Sequence, residues 1–285
     1  MSILDHKTVD AGYIRQLLPV RKAESHKGDY GKILMICGSR GYTGAAALSA
    51  MGALRSGAGV VYLMVPESIY AIEATRLWEA VVLPVADENG MVSFEASKTI
   101  LEYLPKMDAI LIGPGLGQSD GTFSAVKTVL ENYSGPVVLD ADGINVLSGH
   151  KDILRDRTAP TILTPHMGEF VRIGGSGISD PVQAGKDLAL DLGCIVLLKG
   201  HRTVITDGQT CFVNQTGNPG MATGGSGDVL AGIITSLLGQ GLNPLDAAAC
   251  GAYLHGACGD MAAKEIGQYG MLPTDMLSFL PRLLP

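Results

Sequence analysis

Short runs of Val, Ile and Leu recur along the chain with almost no polar interruption, at 33–37 (ILMIC), 60–65 (VVYLMV), 109–112 (AILI), 136–140 (PVVLD), 161–164 (TILT) and 195–199 (IVLLK). Continuous apolar character over such short spans, as opposed to strict alternation, belongs to strands covered on both faces. The gaps between runs leave room for crossover helices, so the pattern predicts an α/β fold with a central, mostly parallel sheet and helices on both sides. Helices are predicted over 44–56, 68–77, 95–104, 120–132, 180–192, 226–238 and 244–264, most of them opened by Ser, Thr, Asp or Gly, or by Pro one residue inside. Residues 203–213 (TVITDGQTCFV) place Asp-Gly between two β-rich stretches and predict a hairpin at the sheet edge. No linker, internal repeat or low-complexity tract divides the pattern, so one domain is expected over 1–285.

Composition narrows the class. A chain of 285 residues can bury one large core without disulfide or metal staples. Glycine is abundant, at 38 residues, and charged residues make up 17%, below the usual figure of about 25%. Many tight turns or close approaches to a ligand, and a buried subunit interface, would account for both. The 21 basic and 28 acidic residues give a net charge of −7, and no run of Lys and Arg could track a phosphate backbone, which argues against nucleic acid. Five cysteines without a C-x-x-C spacing point to reduced thiols and a cytoplasmic setting. The first residues carry acids where a signal peptide would be apolar, and the most apolar later run, VLAGIITSLLGQGL, is too short to span a bilayer.

In open parallel sheets ligands bind beyond the carboxyl ends of the strands. Here those positions read GSRGYTGAA, GPGLG, ADG, PHMGE and GHRT, each following one of the apolar runs. Familiar phosphate motifs do not match. A P-loop ending at Lys32 would need Gly at 26 and Ser or Thr at 33, where His26 and Ile33 stand, and the dinucleotide fingerprint after 109–112 fails at Gln118. The strongest segment is 221–241 (MATGGSGDVLAGIITSLLGQG). Gly225, Ser226 and Gly227 would turn successive backbone N–H groups into one concavity at the positive end of a long apolar helix, forming an anion hole. Asp228 in the first turn could take a proton from a hydroxyl attacking a phosphoryl group held there. Helix capping is the plain alternative for the same residues.

At this point the chain resembles a known family. GGSGD, preceded by NPGMATG, looks like the anion hole and catalytic base of the ribokinase-like fold, a three-layer sandwich. ESHKGDYGKILMICGS (24–39), TGAAALSAMGALRSGAG (43–59), GPGLG (113–117), VLDADGINVL (138–147), ILTPHMGEF (162–170), LLKGHRTVI (197–205), NPGMATGGSGD (218–228) and YLHGACGD (253–260) together resemble the ADP- or ATP-dependent NAD(P)H-hydrate dehydratases over roughly residues 21–285. The resemblance implies a metabolite-repair lyase that uses ADP or ATP, with Mg²⁺, to phosphorylate the C6 hydroxyl of hydrated NADH or NADPH. Expulsion of phosphate then restores NAD(P)H, leaving AMP when the donor is ADP.

Carried over residue by residue, the resemblance implies Asp228 as the base, with Ala45, Gly115, His166 and Asp228 at the hydrate. Lys199, Gly200, His201, Arg202, Thr203 and Gly227 would meet the adenine nucleotide, and Gly225, Ser226 and Gly227 the phosphoryl group. It further implies a homotetramer, and single-domain members of bacterial type resemble the ADP users. Read from the residues alone, Ala45 and Gly115 are small enough to let a bulky ligand lie on backbone, and His166 could bond a phosphate, ribose or amide or serve as a cap. Asp140 and Asp142 could face Mg²⁺, although capping suits Asp142 better. His255 and Cys258 are read as core packing and not as metal ligands. Some twenty residues precede the matched region, so no N-terminal epimerase domain is expected. A ribokinase-like vitamin kinase acting on a hydroxymethylpyrimidine, a thiazole alcohol or pyridoxal would use the same anion hole and Asp228, and a catalytically silent nucleotide-binding module is the reading from another class.

Overall fold

The computed structural model describes residues 7–285. Ten strands form one sheet: β1 (Lys7–Thr8), β2 (Lys32–Ile36), β3 (Val60–Pro66), β4 (Val81–Val85), β7 (Ala109–Ile112), β8 (Val137–Leu139), β9 (Thr161–Leu163), β10 (Ile195–Leu198), β11 (Val204–Thr206) and β12 (Cys211–Val213). Their order is β1-β12-β11-β10-β9-β8-β7-β2-β3-β4, parallel except for the two pairings that β11 makes with β10 and β12. A separate two-stranded hairpin joins β5 (Asp87–Glu88) to β6 (Met91–Val92).

All six apolar runs are strands of this sheet, and each buries two faces. In β2, Ile33 and Met35 point into one core while Leu34 and Ile36 point into the other. Helices α2 (Thr43–Arg55), α10 (Ser226–Gly239) and α11 (Pro244–Ile266) cover the first face, with α1 (Ala11–Leu17), α3 (Glu67–Arg76) and α12 (Pro273–Phe279). Helices α4 (Ala96–Tyr103), α5 (Asp120–Asn132) and α9 (Pro181–Leu192) cover the second face. Three short helices lie among the strand-end loops, namely α6 (Asp142–Asn145), α7 (Asp152–Arg155) and α8 (Met167–Arg172).

Two differences from the sequence reading concern the edges. The β11–β12 hairpin forms as predicted, but it is not the edge, because β1 adds in parallel outside β12, pairing Lys7 with Phe212. At the opposite edge β4 was not foreseen. It carries Pro84, whose missing N–H is harmless on a strand with one free side.

Helix α10 is apolar all round because it is buried all round, wedged between the sheet, α2 and α11. Its approach to α2 depends on glycine. A Cβ on Gly232 would collide with the Ser49 carbonyl, and one on Gly52 would lie 2.6 Å from the Val229 carbonyl. This contact fixes α10, which carries Asp228 in its first turn, against α2, which carries Ala45.

Candidate active site

The carboxyl ends of β8, β9 and β10 bring three side chains together. Asp140 follows β8, Thr164 follows β9 and Lys199 follows β10. Lys199 Nζ donates to Asp140 Oδ1 at 2.8 Å, and Thr164 Oγ1 donates to the same oxygen at 2.7 Å. The turn after β8 is strained, since Ala141 has φ +49°, ψ −116°, a conformation an L side chain rarely adopts. That turn points Asp140 into the cluster and sends Asp142 the other way. Asp142 Oδ2 accepts from the Gly117 N–H at 2.9 Å, so it holds the 113–117 loop in place, and α6, which it opens, has no side-chain cap.

Glu169, in the first turn of α8, is the fourth member of the cluster. Its carboxylate is buried, accepts from the His166 N–H at 2.9 Å and lies 3.8 Å from Lys199 Nζ. His166 is the N-cap of α8. Its Nδ1 accepts from the amides of Gly168 and Glu169 at 2.9 and 3.3 Å, which leaves the ring proton on Nε2, 3.3 Å from Glu169 Oε1. The ring is half exposed and both its nitrogens are engaged in the cap, so the capping role is real and the ring offers an open face at the cavity wall.

Helix α10 begins beside this cluster. Gly225 is its N-cap with φ +92°, and a Cβ there would strike the Leu48 side chain. The Gly227 and Asp228 amides open the helix without a helical carbonyl behind them, whereas the Ser226 N–H turns back onto the Thr223 carbonyl at 3.4 Å. Lys199 Nζ lies 3.3 Å from where a Gly227 Cβ would sit, so an ammonium and a helix dipole converge on one point. Asp228 is pushed up to about 6, first by burial and then by Asp140, with Lys199 pulling the other way and Glu169 adding to the rise. Behind it lies the fully buried Cys37 thiol, raised well above its usual range by burial and then by Asp228 and Asp140. For Lys199, burial disfavours the charge but is outweighed by Asp140 and Glu169, and its value is raised. Lys199 is therefore an ammonium, and Asp228 is a carboxylate poised near neutrality.

A cavity of about 770 Å³ opens from this point, within the size range of small-molecule sites. Lys199, Gly200, His201, Thr203, Ser226 and Gly227 line it, as does His166. Arg202 is exposed and lies outside that lining. Ala45 and Gly115 sit elsewhere but touch each other: a Cβ on Gly115 would come 2.7 Å from Ala45 Cβ and 3.0 Å from the Tyr42 carbonyl. Thus one group of the expected residues shares a cavity, and a second pair meets where the α2 and 113–117 loops touch.

Three neighbours of this site were not expected. Glu169 was legible as the acid of an H-x-x-E capping box. Asn214, just past β12, lines the cavity with its amide bonded to Ala252 and Thr216. His255 corrects the core-packing reading: it is buried but reaches the cavity, with Nε2 3.2 Å from Ser226 Oγ. Cys258, one helical turn on, is core as expected. No group of three or more His, Cys, Asp or Glu that could hold a metal ion by itself occurs among the described residues. No helix among them is long and apolar enough to cross a membrane.

A family profile described as NAD(P)H-hydrate dehydratase matches residues 33–282. The chain belongs to that family. A bifunctional NAD(P)H-hydrate repair enzyme from Moorella thermoacetica is 43% identical over 98% of this chain and 54% of the relative, and the chain spans about half the length of the curated relatives it matches. The ADP/ATP-dependent NAD(P)H-hydrate dehydratase of Bacillus subtilis, crystallised with ATP and Mg²⁺, superimposes with a TM-score of 0.85 at 33% identity, covering 98% of each chain. A ribokinase-like superfamily protein from Enterococcus faecalis gives 0.86 at 30% identity, over 99% of this chain and 96% of that one. The fold is thus ribokinase-like, as the sequence implied. A hydroxyethylthiazole kinase from Pyrococcus horikoshii shares that fold at 15% identity and a TM-score of 0.62, which places the vitamin kinases at a distance.

Proposed function

We propose that this protein is an ADP- or ATP-dependent (S)-NAD(P)H-hydrate dehydratase, acting as one ribokinase-like domain. The observation that carries the reading is Asp228, a carboxylate raised to about 6, at a helix N-terminus whose first-turn amides and Lys199 converge beside a nucleotide-sized cavity. The nucleotide lies in the cavity lined by Lys199, Gly200, His201, Thr203 and Gly227, with Arg202 on its exposed rim. Its transferable phosphate sits at the Gly225–Gly227 turn. The hydrate approaches from the Ala45–Gly115 side, against backbone and against the His166 ring.

The chemistry follows from the leaving group. Hydroxide is expelled poorly from C6 of the hydrated ring, whereas phosphate leaves well. Asp228 takes the proton of the C6 hydroxyl as its oxygen forms a bond to the terminal phosphorus, and the bond from phosphorus to the nucleotide's bridging oxygen breaks. The amides of Gly227 and Asp228 and the Lys199 ammonium meet the negative charge on the transferring group. The ring-nitrogen lone pair then expels phosphate from C6, and loss of a proton from C5 restores the dihydronicotinamide. A Mg²⁺ neutralises phosphate charge when bound. Magnesium sites take one or two carboxylates and fill the rest with phosphate oxygens and water, so Asp140 and Glu169 are the carboxylates that would face an ion carried in on the nucleotide.

The runner-up is a vitamin kinase, whose product would be a stable phosphoester. Chemically prepared NADH hydrate, protein, Mg²⁺ and either ADP or ATP should regain the near-ultraviolet band of the reduced nicotinamide with phosphate released in step. A folded, nucleotide-binding protein that restores nothing with either donor would instead favour the kinase reading.

A further inference from the structure

His255 and Ser226 form a buried pair at the mouth of α10 that the chemistry above does not use. His255 lies mid-way along α11, is 8% exposed and is surrounded by Ala and Gly, among them Ala252, Gly256 and Gly259. Its Nε2 is 3.2 Å from Ser226 Oγ, and both residues line the cavity. Ser226 is the first residue of α10, and its amide is turned back onto the Thr223 carbonyl. The hydroxyl is therefore what Ser226 can bring to an anion lying at this helix start.

A serine hydroxyl has one proton and can point it in one direction. If His255 Nε2 lacks a proton, the Ser226 hydroxyl donates to the ring and turns lone pairs toward the cavity, where they would repel a phosphate. If Nε2 carries the proton, the ring donates to Ser226 Oγ and the hydroxyl proton is free to point into the cavity. Burial lowers the ring to about 4 and keeps it neutral, so the pair holds one of these two arrangements near neutral pH. Only the second lets the pair serve an anion at this helix start.

We infer that His255 is a positioning residue which, protonated on Nε2, turns the Ser226 hydroxyl into a further donor to the nucleotide's phosphate at the start of α10. The inference rests on the nucleotide site proposed above but not on the identity of the second substrate. It separates the two sides of the anion hole: backbone amides and Lys199 on one, and a side-chain hydroxyl aimed from α11 on the other.

The tautomer is read directly from nitrogen-15 shifts of the wild-type protein, which has six histidines, with the His255 signals assigned by their loss in His255→Gln. The expected spectrum is a neutral ring protonated at Nε2 near neutral pH, and a proton on Nδ1 with a bare Nε2 overturns the inference. Calorimetric binding of ADP supplies the coupling. Ser226→Ala and His255→Leu should each weaken ADP about tenfold, as loss of one hydrogen bond to a charged group does. The double variant should be no weaker than either single one, and His255→Gln, whose amide can still donate, should stay within about threefold of wild type. A double variant weakened by the product of the two effects would mean that His255 acts independently of Ser226 and would overturn the inference. Neither measurement needs turnover. Coupled ADP binding without hydrate repair would sink the dehydratase reading alone, and repair with additive variants would sink this inference alone.

Discussion

Lys199 and Asp140, fifty-nine positions apart, form a 2.8 Å ion pair across the ends of β10 and β8, with Thr164, just past the intervening strand, donating to the same carboxylate oxygen. The Asp140 side chain is 2% exposed and that of Lys199 21%. Removing the ammonium leaves a buried carboxylate without its counter-charge, a loss that typically costs about 3–5 kcal/mol. Lys199→Ala should therefore lower stability by that order in urea titrations and weaken nucleotide binding. In Lys199→Ala with Asp140→Asn, much of the stability should return but not the affinity. Two losses that simply added would contradict the pairing.

Asp228 trades stability for reactivity. A carboxyl whose folded-state value is raised binds its proton more tightly folded than unfolded, so the folded state is penalised as pH climbs from about 3.8 to about 6 and fully above that. At one pKa unit per about 1.4 kcal/mol, the penalty at neutral pH is on the order of 2–3 kcal/mol. Asp228→Asn should abolish turnover while raising the melting temperature at pH 7, and the gain should vanish below pH 4. An inactive variant that is less stable than wild type at pH 7 would contradict the assignment.

The same group sets the acid limb of activity. A base must be deprotonated, so kcat/KM should fall tenfold per pH unit below about 6. A profile flat down to pH 5 would show that Asp228 is not the titrating base.

Helix register links the two substrate sides. Gly232→Ala must push the Ser49 carbonyl away, moving α2, with Ala45, relative to α10, with Asp228. Overpacking of this kind costs typically about 1–3 kcal/mol, and kcat should fall more than the KM for nucleotide rises, because the two reacting partners are held by different helices. Equal stability and activity in the variant would mean the contact does not set the geometry.

Gly115→Ala addresses one side only. Its Cβ would crowd Ala45 and the Tyr42 carbonyl, none of which lines the nucleotide cavity. The KM for the hydrate should rise at least tenfold while ADP binding is unchanged. A matching loss of ADP affinity would place Gly115 in a different role.

Much of this was legible in the sequence, for physical reasons. Strands buried on both faces are written as unbroken apolar runs, and glycine before a long apolar helix marks the helix start, so the sheet, the α10 terminus and Asp228 were all readable. The edges were not. Two residues, Lys7 and Thr8, suffice for β1 because pairing with β12 supplies their order, and such a pairing leaves no local pattern. His255 reads as core packing because a histidine among Ala and Gly on a helix looks like core; it is buried, but only the packing of α11 against the start of α10 reveals that the ring meets a hydroxyl. Glu169 belongs between these cases: its capping-box spacing was visible, but its approach to Lys199 depends on where β9 and β10 end.

The central claim is that the hydroxyl of the hydrate is itself phosphorylated before it leaves. NADH hydrate prepared in oxygen-18 water carries the label at C6, and the phosphate released by protein, Mg²⁺ and unlabelled ADP or ATP can be weighed by mass spectrometry. The account predicts one oxygen-18 in each phosphate, in step with restored NADH. Restored NADH accompanied by unlabelled phosphate would contradict it, because the nucleotide would then have been split by water and the hydroxyl lost by another route.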